Sequence, residues 1–201
     1  MDEKQAIALL KRGDLQGLEA LIQAYQLQAV RAAALITGDR DLSEDIVQNA
    51  FIRAADRIAQ YDPQRPFGPW FFRSVVNDAV KAANRQKRFV SLDTDNGEET
   101  YDLFDPAPLP EEIIEAKETQ QAVWQALQKL PANQRAAIVL RYYLGMHEDE
   151  MIEELHSPAG SVKWWLHAAR QRLQKLLSPD RSSEENSRPG STSVQESGEK
   201  R

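Results

Sequence analysis

An all-α chain, two small helical domains joined by a flexible acidic linker, is what the sequence predicts, on three observations. Apolar residues recur at spacings of three and four through most of the first 90 residues and again through residues 111–177. That period belongs to helices with one buried face. The segment between them, SLDTDNGEETYDLFDPAPLP (91–110), holds three prolines, one glycine and many acids, a composition that suits a linker better than a packed element. The stretch from Met146 to Leu177 reads as two helices around a tight turn, the second of them basic.

The elements follow in order. A short helix over Asp2 to Lys11 ends at Gly13. The next, Asp14 to Thr37, carries Leu18, Leu21, Ile22, Tyr25, Ala29, Ala33 and Ile36 on one stripe, and Gly38 stops it. A third runs from Leu42 to Gln60, with Ser43 as its expected cap and acids in its first turn. Its stripe is Ile46, Val47, Ala50, Phe51, Ala54 and Ile58. Two prolines make Tyr61 to Pro66 a turn. Pro66 to Arg88 is a long helix, aromatic at its start and basic at its end, with Phe67, Trp70, Phe71, Val75, Ala79 and Ala82 facing inward. Beyond the linker, helices are expected over Glu111 to Lys129, Pro131 to Tyr143 and Glu148 to Leu155. His156, Ser157 and Pro158 break the last of these. Ser157 is a good cap for the final helix, and Pro158 suits its first position. That helix turns Val162, Leu166, Ala169, Leu173 and Leu176 inward and Lys163, His167, Arg170 and Gln174 outward. The resulting division is residues 1–90, linker 91–110, residues 111–177 and a Ser-rich, apolar-poor tail over 178–201 that should be disordered.

Composition narrows the function classes. The chain has 201 residues, of which 41% are hydrophobic, which supports small cores but not one large one. It has no cysteine, which excludes disulfides and cysteine-based zinc sites. Its three histidines, His147, His156 and His167, lack metal-ligand spacing with carboxylates. No Gly-rich phosphate loop is present. No metal, no cofactor and no enzymatic chemistry are therefore expected. The acidic start MDEKQAIALLKRGD is no signal peptide, and no apolar run reaches membrane-spanning length. A soluble cytoplasmic protein without membrane insertion is expected.

The net charge is −6, but it is unevenly placed. Residues 62–90 carry +4, residues 91–118 carry −9, and residues 119–177 carry +2. Local charge decides where phosphate can bind. From Ser161 to Leu177 there are four bases and no acid. A basic second helix after a tight turn is the build of a helix-turn-helix that enters a DNA major groove; the plain alternative is a surface helical hairpin. Lys81, Arg85, Lys87 and Arg88 form a second basic run, which can contact phosphate or simply complement its helix dipole. Asp45 and Gln48, with Glu44 nearby, lie off the apolar stripe and are available to a basic partner or to solvent. The spacing of Trp70, Phe71 and Phe72 suits a core more than a stacking surface.

Four blocks stand in order: DLSEDIVQNAF (Asp41 to Phe51), WFFRSVVN (Trp70 to Asn77) with its basic end NRQKR, LQKLPANQRAAIVLRYY (Leu127 to Tyr143), and SPAGSVKWWLHAARQRL (Ser157 to Leu173). This order resembles the extracytoplasmic-function group of bacterial RNA polymerase sigma factors, over about residues 1–177. The resemblance implies that Asp45, Gln48 and Glu44 meet the β′ clamp of core RNA polymerase, and that the β flap is a further partner. It implies that Asn77 captures a flipped-out base of the minus-ten element, with Lys81, Arg85, Lys87 and Arg88 supplying positive charge. A carboxamide both donates and accepts, so it can read a base edge. It also implies that Ser161, Lys163, Trp164, His167, Arg170 and Arg172 contact the minus-thirty-five element. An anti-sigma factor is an implied partner, and an acidic linker that mimics nucleic acid inside the polymerase is implied too. The chain departs from the family pattern at Trp164 and Trp165, where a small polar residue and an arginine are usual. It departs again at Leu155-His156, where a small apolar residue and glycine are usual.

The expected function is a sigma factor that directs core polymerase to promoters and assists their opening. The alternatives are a stand-alone helix-turn-helix regulator of duplex DNA, and a sigma-like adaptor that binds polymerase or an anti-sigma factor without opening promoters.

Overall fold

The computed structural model describes residues 1–90 and 110–178, and side chains within these except 88–90 and 110–117. The linker expected over 91–110 and the tail after residue 178 lie almost wholly outside the described residues. Eight α-helices account for the described chain: α1 Glu3–Lys11, α2 Leu15–Thr37, α3 Arg40–Arg57, α4 Phe67–Val90, α5 Pro110–Gln128, α6 Ala132–Ile138, α7 Glu148–Leu155 and α8 Ala159–Leu177. A 3-10 turn over Ile58–Gln60 extends α3, and a π-helical turn over Val139–Tyr143 extends α6. No strand occurs among the described residues.

Side chains set the helix starts. Asp2, Asp14 and Asp39 cap α1, α2 and α3, each carboxylate accepting from a backbone N–H in the first turn. Gly38 ends α2 in the left-handed conformation, φ 80°, where a side chain is disfavoured. Two expected caps are corrected. Helix α3 begins at Arg40, two residues before the expected start, because Asp39 caps it. Ser43 is buried inside the helix, its hydroxyl donating to the Asp39 carbonyl at 2.5 Å. At α8 the cap position is Pro158, and the Ser157 hydroxyl donates back to the Leu155 carbonyl at 2.9 Å instead.

The first four helices pack as a bundle around α2. Gly17 lets α1 cross the start of α2 closely: a Cβ there would lie 2.2 Å from the Ala6 carbonyl oxygen. The expected stripe of α3 is buried in full, and Phe51 stacks on Phe71 of α4 with ring centroids 4.4 Å apart. Phe67, Phe71 and Phe72 are buried as their spacing predicts, while Trp70 is only half-buried. In the second half, Leu140, Met151, Val162, Leu166 and Ala169 form the centre. Leu173 is half-buried and Leu176 is exposed, so the inward stripe of α8 ends earlier than expected.

The two halves pack on each other, and their buried residues form one continuous cluster, in place of the separate small cores expected, because α5, α6 and α7 pack against α2 and α4. Gln128 at the end of α5 donates to the Leu35 carbonyl of α2 at 3.3 Å. It also accepts from Arg135 of α6, whose buried guanidinium has its pKa lowered to about 10 by desolvation. On the other side, α7 lies against α4. No described helix is long and apolar enough to cross a membrane.

Candidate nucleic-acid interface

Helices α3 and α4 run side by side and leave a cleft of about 530 Å³ between them. Its apolar floor comes from Ala50, Ala54, Trp70 and Phe71, and its rim from Arg53, Arg57, Gln60, Arg73, Ser74, Asn77, Asp78 and Lys81. Four of these rim residues are cationic and one is acidic. Arg53 fixes one wall: its guanidinium donates to the Ser74 hydroxyl at 2.9 Å and pairs with Asp78. Lys81 reaches the same carboxylate at 3.4 Å. Arg57 is exposed at the mouth. An aromatic floor with a cationic rim and carboxamides from Gln60 and Asn77 is chemically suited to an unstacked base and its phosphate.

Of the residues expected here, Asn77 and Lys81 line the cleft. Arg85 and Lys87 are exposed further along α4, and the Arg88 side chain lies outside the described residues. Arg53, Arg57 and Arg73 were not anticipated. Arg53 and Arg57 are one turn apart on α3, so a basic i, i+4 pair beside an apolar stripe was the available signal.

The outer face of α3 presents Asp45 and Gln48, both exposed. Glu44 is half-buried and holds Arg40 at 3.0 Å. Ile52, one turn beyond Gln48, is 60% exposed. An exposed isoleucine among polar residues gives this face an apolar centre that the sequence reading missed.

Helices α7 and α8 enclose a three-residue turn, His156 to Pro158, the proportions of a helix-turn-helix. His156 sits at φ 47°, the single non-glycine residue with positive φ among the described residues. Along α8, at 100° per residue, Trp164 faces directly away from Val162, Leu166 and Ala169, and it is 59% exposed. Lys163, His167 and Arg170 flank it on one side, all exposed. Ser161 and Arg172 lie on the other. Ser161 is half-buried, and Arg172 donates to the Gln134 side chain at 3.1 Å, toward α6 and away from Lys163. Trp165 packs against the core.

Three contacts join α4 and the turn before it to the helix-turn-helix. The Asn77 amide donates to the Glu154 carbonyl oxygen at 3.2 Å. Arg73 meets the His156 ring. Arg65 pairs with Glu153 at 3.6 Å. Glu154 itself is buried, with one carboxylate oxygen lacking a hydrogen-bond partner. Burial pushes its carboxyl up to about 7, against the opposing pull of Arg73.

A basic cleft on one helical half and a helix-turn-helix on the other define a two-domain helical DNA-binding protein. Residues 21–89 match the sigma-70 region 2 model, and residues 120–173 match the sigma-70 region 4 model. The chain is 30% identical over 179 residues to the ECF RNA polymerase sigma factor SigW of Bacillus subtilis, covering 87% of this chain and 96% of that one. It is 25% identical over 183 residues to the RNA polymerase sigma-H factor of Pseudomonas aeruginosa, covering 88% and 94%. Among solved structures, RpoE of Bartonella quintana, in complex with the anti-sigma factor NepR, superposes with a TM-score of 0.59. It shares 26% identity, over 77% of this chain and 93% of that one. CnrH, in complex with the cytosolic domain of CnrY, shares the fold with a TM-score of 0.63 at 22% identity, over 89% and 99%. The chain belongs to the extracytoplasmic-function group of sigma-70 factors. It is a sigma factor that directs bacterial core RNA polymerase to specific promoters.

Proposed function

We propose that promoter recognition is divided between the two basic surfaces, with residues 1–90 and 111–177 acting as separate domains around the 91–110 linker. The cleft between α3 and α4 takes the minus-ten element as single strand. Asn77 reads the base edge, Trp70 and Phe71 provide its floor, and Arg53, Arg57, Arg73 and Lys81 hold the flanking phosphates, with Arg85, Lys87 and Arg88 continuing the track. The solvent face of α8 takes the minus-thirty-five element as duplex through Lys163, Trp164, His167 and Arg170. Ser161 and Arg172 join at the edge, Arg172 after leaving Gln134. The outer face of α3, with Asp45, Gln48, Glu44 and Ile52, receives the clamp of the polymerase, and the β flap receives the second domain. The protein performs no covalent chemistry and acts in the cytoplasm. An anti-sigma factor is a further partner, in keeping with the RpoE relative solved with one.

The observation that carries this reading is the cleft itself: apolar floor, four cations at the rim and a carboxamide among them. The test separates the two surfaces. Reconstituted holoenzyme is bound to a fork template whose minus-ten strand is unpaired, and to a duplex carrying the upstream element alone. Arg53→Ala with Arg57→Ala should weaken fork binding about tenfold and leave the duplex unaffected, each phosphate contact also contributing to the salt slope. Lys163→Ala with Arg170→Ala should do the reverse. Equal losses on both templates, or exchanged ones, would refute the division.

A further inference from the structure

We propose that Trp164 is a specificity-determining residue of α8 that reads the C5-methyl group of a thymine in the minus-thirty-five duplex. This rests on the assignment of the solvent face of α8 to duplex DNA, and it names the base feature which that face recognises. A lone exposed apolar side chain is ordinary on a protein surface; the place of this one is not. Trp164 is the sixth residue of the second helix of the helix-turn-helix, within the N-terminal stretch that meets base edges in such motifs. Its ring points directly away from the buried Val162, Leu166 and Ala169 and is not part of the core. The neighbouring Trp165 packs there instead. Gly160 and Ala168 stand one turn before and one turn after Trp164, and a Cβ at Gly160 would meet nothing within 4 Å. A bulky indole between two small residues has room to lie along the helix face.

Charge selects the class of occupant. Lys163, His167 and Arg170 flank the ring on one side, all exposed, and no acid occurs from Ser161 to Leu177. Such a surround favours a polyanion. The chemistry of the ring then selects the base. Indole carries one donor, its Nε1–H, and no acceptor, so it cannot form the bidentate pairs that arginine or glutamine make with a base edge. Its large apolar surface is satisfied by an apolar contact, and the base edges of the major groove offer one, the thymine methyl group. The faces of paired bases are stacked on their neighbours, so ring-on-base stacking is closed to it in duplex. Because the three cations lie to one side, they can hold one phosphate strand while the ring reaches the base edges beside it.

Holoenzyme reconstituted with the full-length chain selects binders from a randomised duplex library. The chain is wild type, Trp164→Ala or Lys163→Ala. Both substituted positions are exposed, so the variants should melt as the wild type does. Wild type should enrich thymine at a position where Trp164→Ala shows no preference, the rest of the enriched sequence being kept. Deoxyuridine then replaces that thymine in the enriched duplex, which removes the methyl group alone.

Wild-type affinity should fall about fourfold, the ratio for one methyl group returned to water. Trp164→Ala should bind the two duplexes equally. Lys163→Ala should weaken both and keep their ratio. A wild type that enriches no thymine or is indifferent to its methyl group, or a preference that survives in Trp164→Ala, would overturn the thymine assignment. Weakening by Lys163→Ala would then show that α8 still meets duplex. No effect of either variant on either duplex would overturn both readings. Weaker binding of Trp164→Ala to core polymerase without DNA would give the ring to a protein contact and overturn the proposal.

Discussion

Replacing Asn77 with alanine should lower promoter opening by holoenzyme about 10- to 100-fold, and should leave core binding and the closed complex intact. The magnitude is that of one well-placed carboxamide-to-base contact, about 1–3 kcal/mol. Opening is read as permanganate reactivity of unpaired thymines, and the closed complex as a footprint at low temperature. The loss is expected on opening because, in the proposed role, a base edge meets Asn77 only after leaving the duplex. The substitution also removes the bond to the Glu154 carbonyl. Asn77 is half-buried at the surface of α4, and truncation there leaves no core cavity. Equal opening by mutant and wild type would remove Asn77 from the site.

Asp45→Arg combined with Gln48→Ala should weaken binding to core polymerase by about 2 kcal/mol or more, roughly thirtyfold. Both residues are exposed on α3, where substitutions ordinarily change stability by less than about 0.5 kcal/mol. A folded protein that no longer competes for core is the expected result, measured by competition with a labelled wild-type chain and checked by its melting temperature. Ile52, exposed beside them, would give the proposed interface its apolar centre. An unchanged core affinity would move the clamp contact away from this face of α3.

Much of the fold was legible because helices advertise themselves locally. The stripes of α2, α3 and α4 appear in the core largely as their spacing required, and α7 runs between the residues expected, Glu148 and Leu155. Caps were less legible, since they depend on which oxygen reaches a given N–H. Ser43 and Asp39 are both good caps by type, and the Ser43 hydroxyl is taken by the Asp39 carbonyl and Thr37. The cleft was half legible. Asn77 and Lys81 share one helix with the block that pointed to them, whereas Arg53 and Arg57 come from another helix and join only through packing. The contact between the two halves was not legible at all. Asn77 and Glu154 are 77 residues apart, and no local period connects them. Yet the left-handed turn left a trace, for His156 stands where the family usually places glycine. Trp164, expected on the DNA-facing side of α8, faces solvent.

The central claim is that this chain confers promoter specificity on core polymerase. It is tested most directly by run-off transcription with purified chain and bacterial core polymerase on fragmented DNA of its own host. Discrete transcripts absent with core alone are the predicted result, and their start sites define both promoter elements. Core binding without transcripts, or no binding to core, would contradict it.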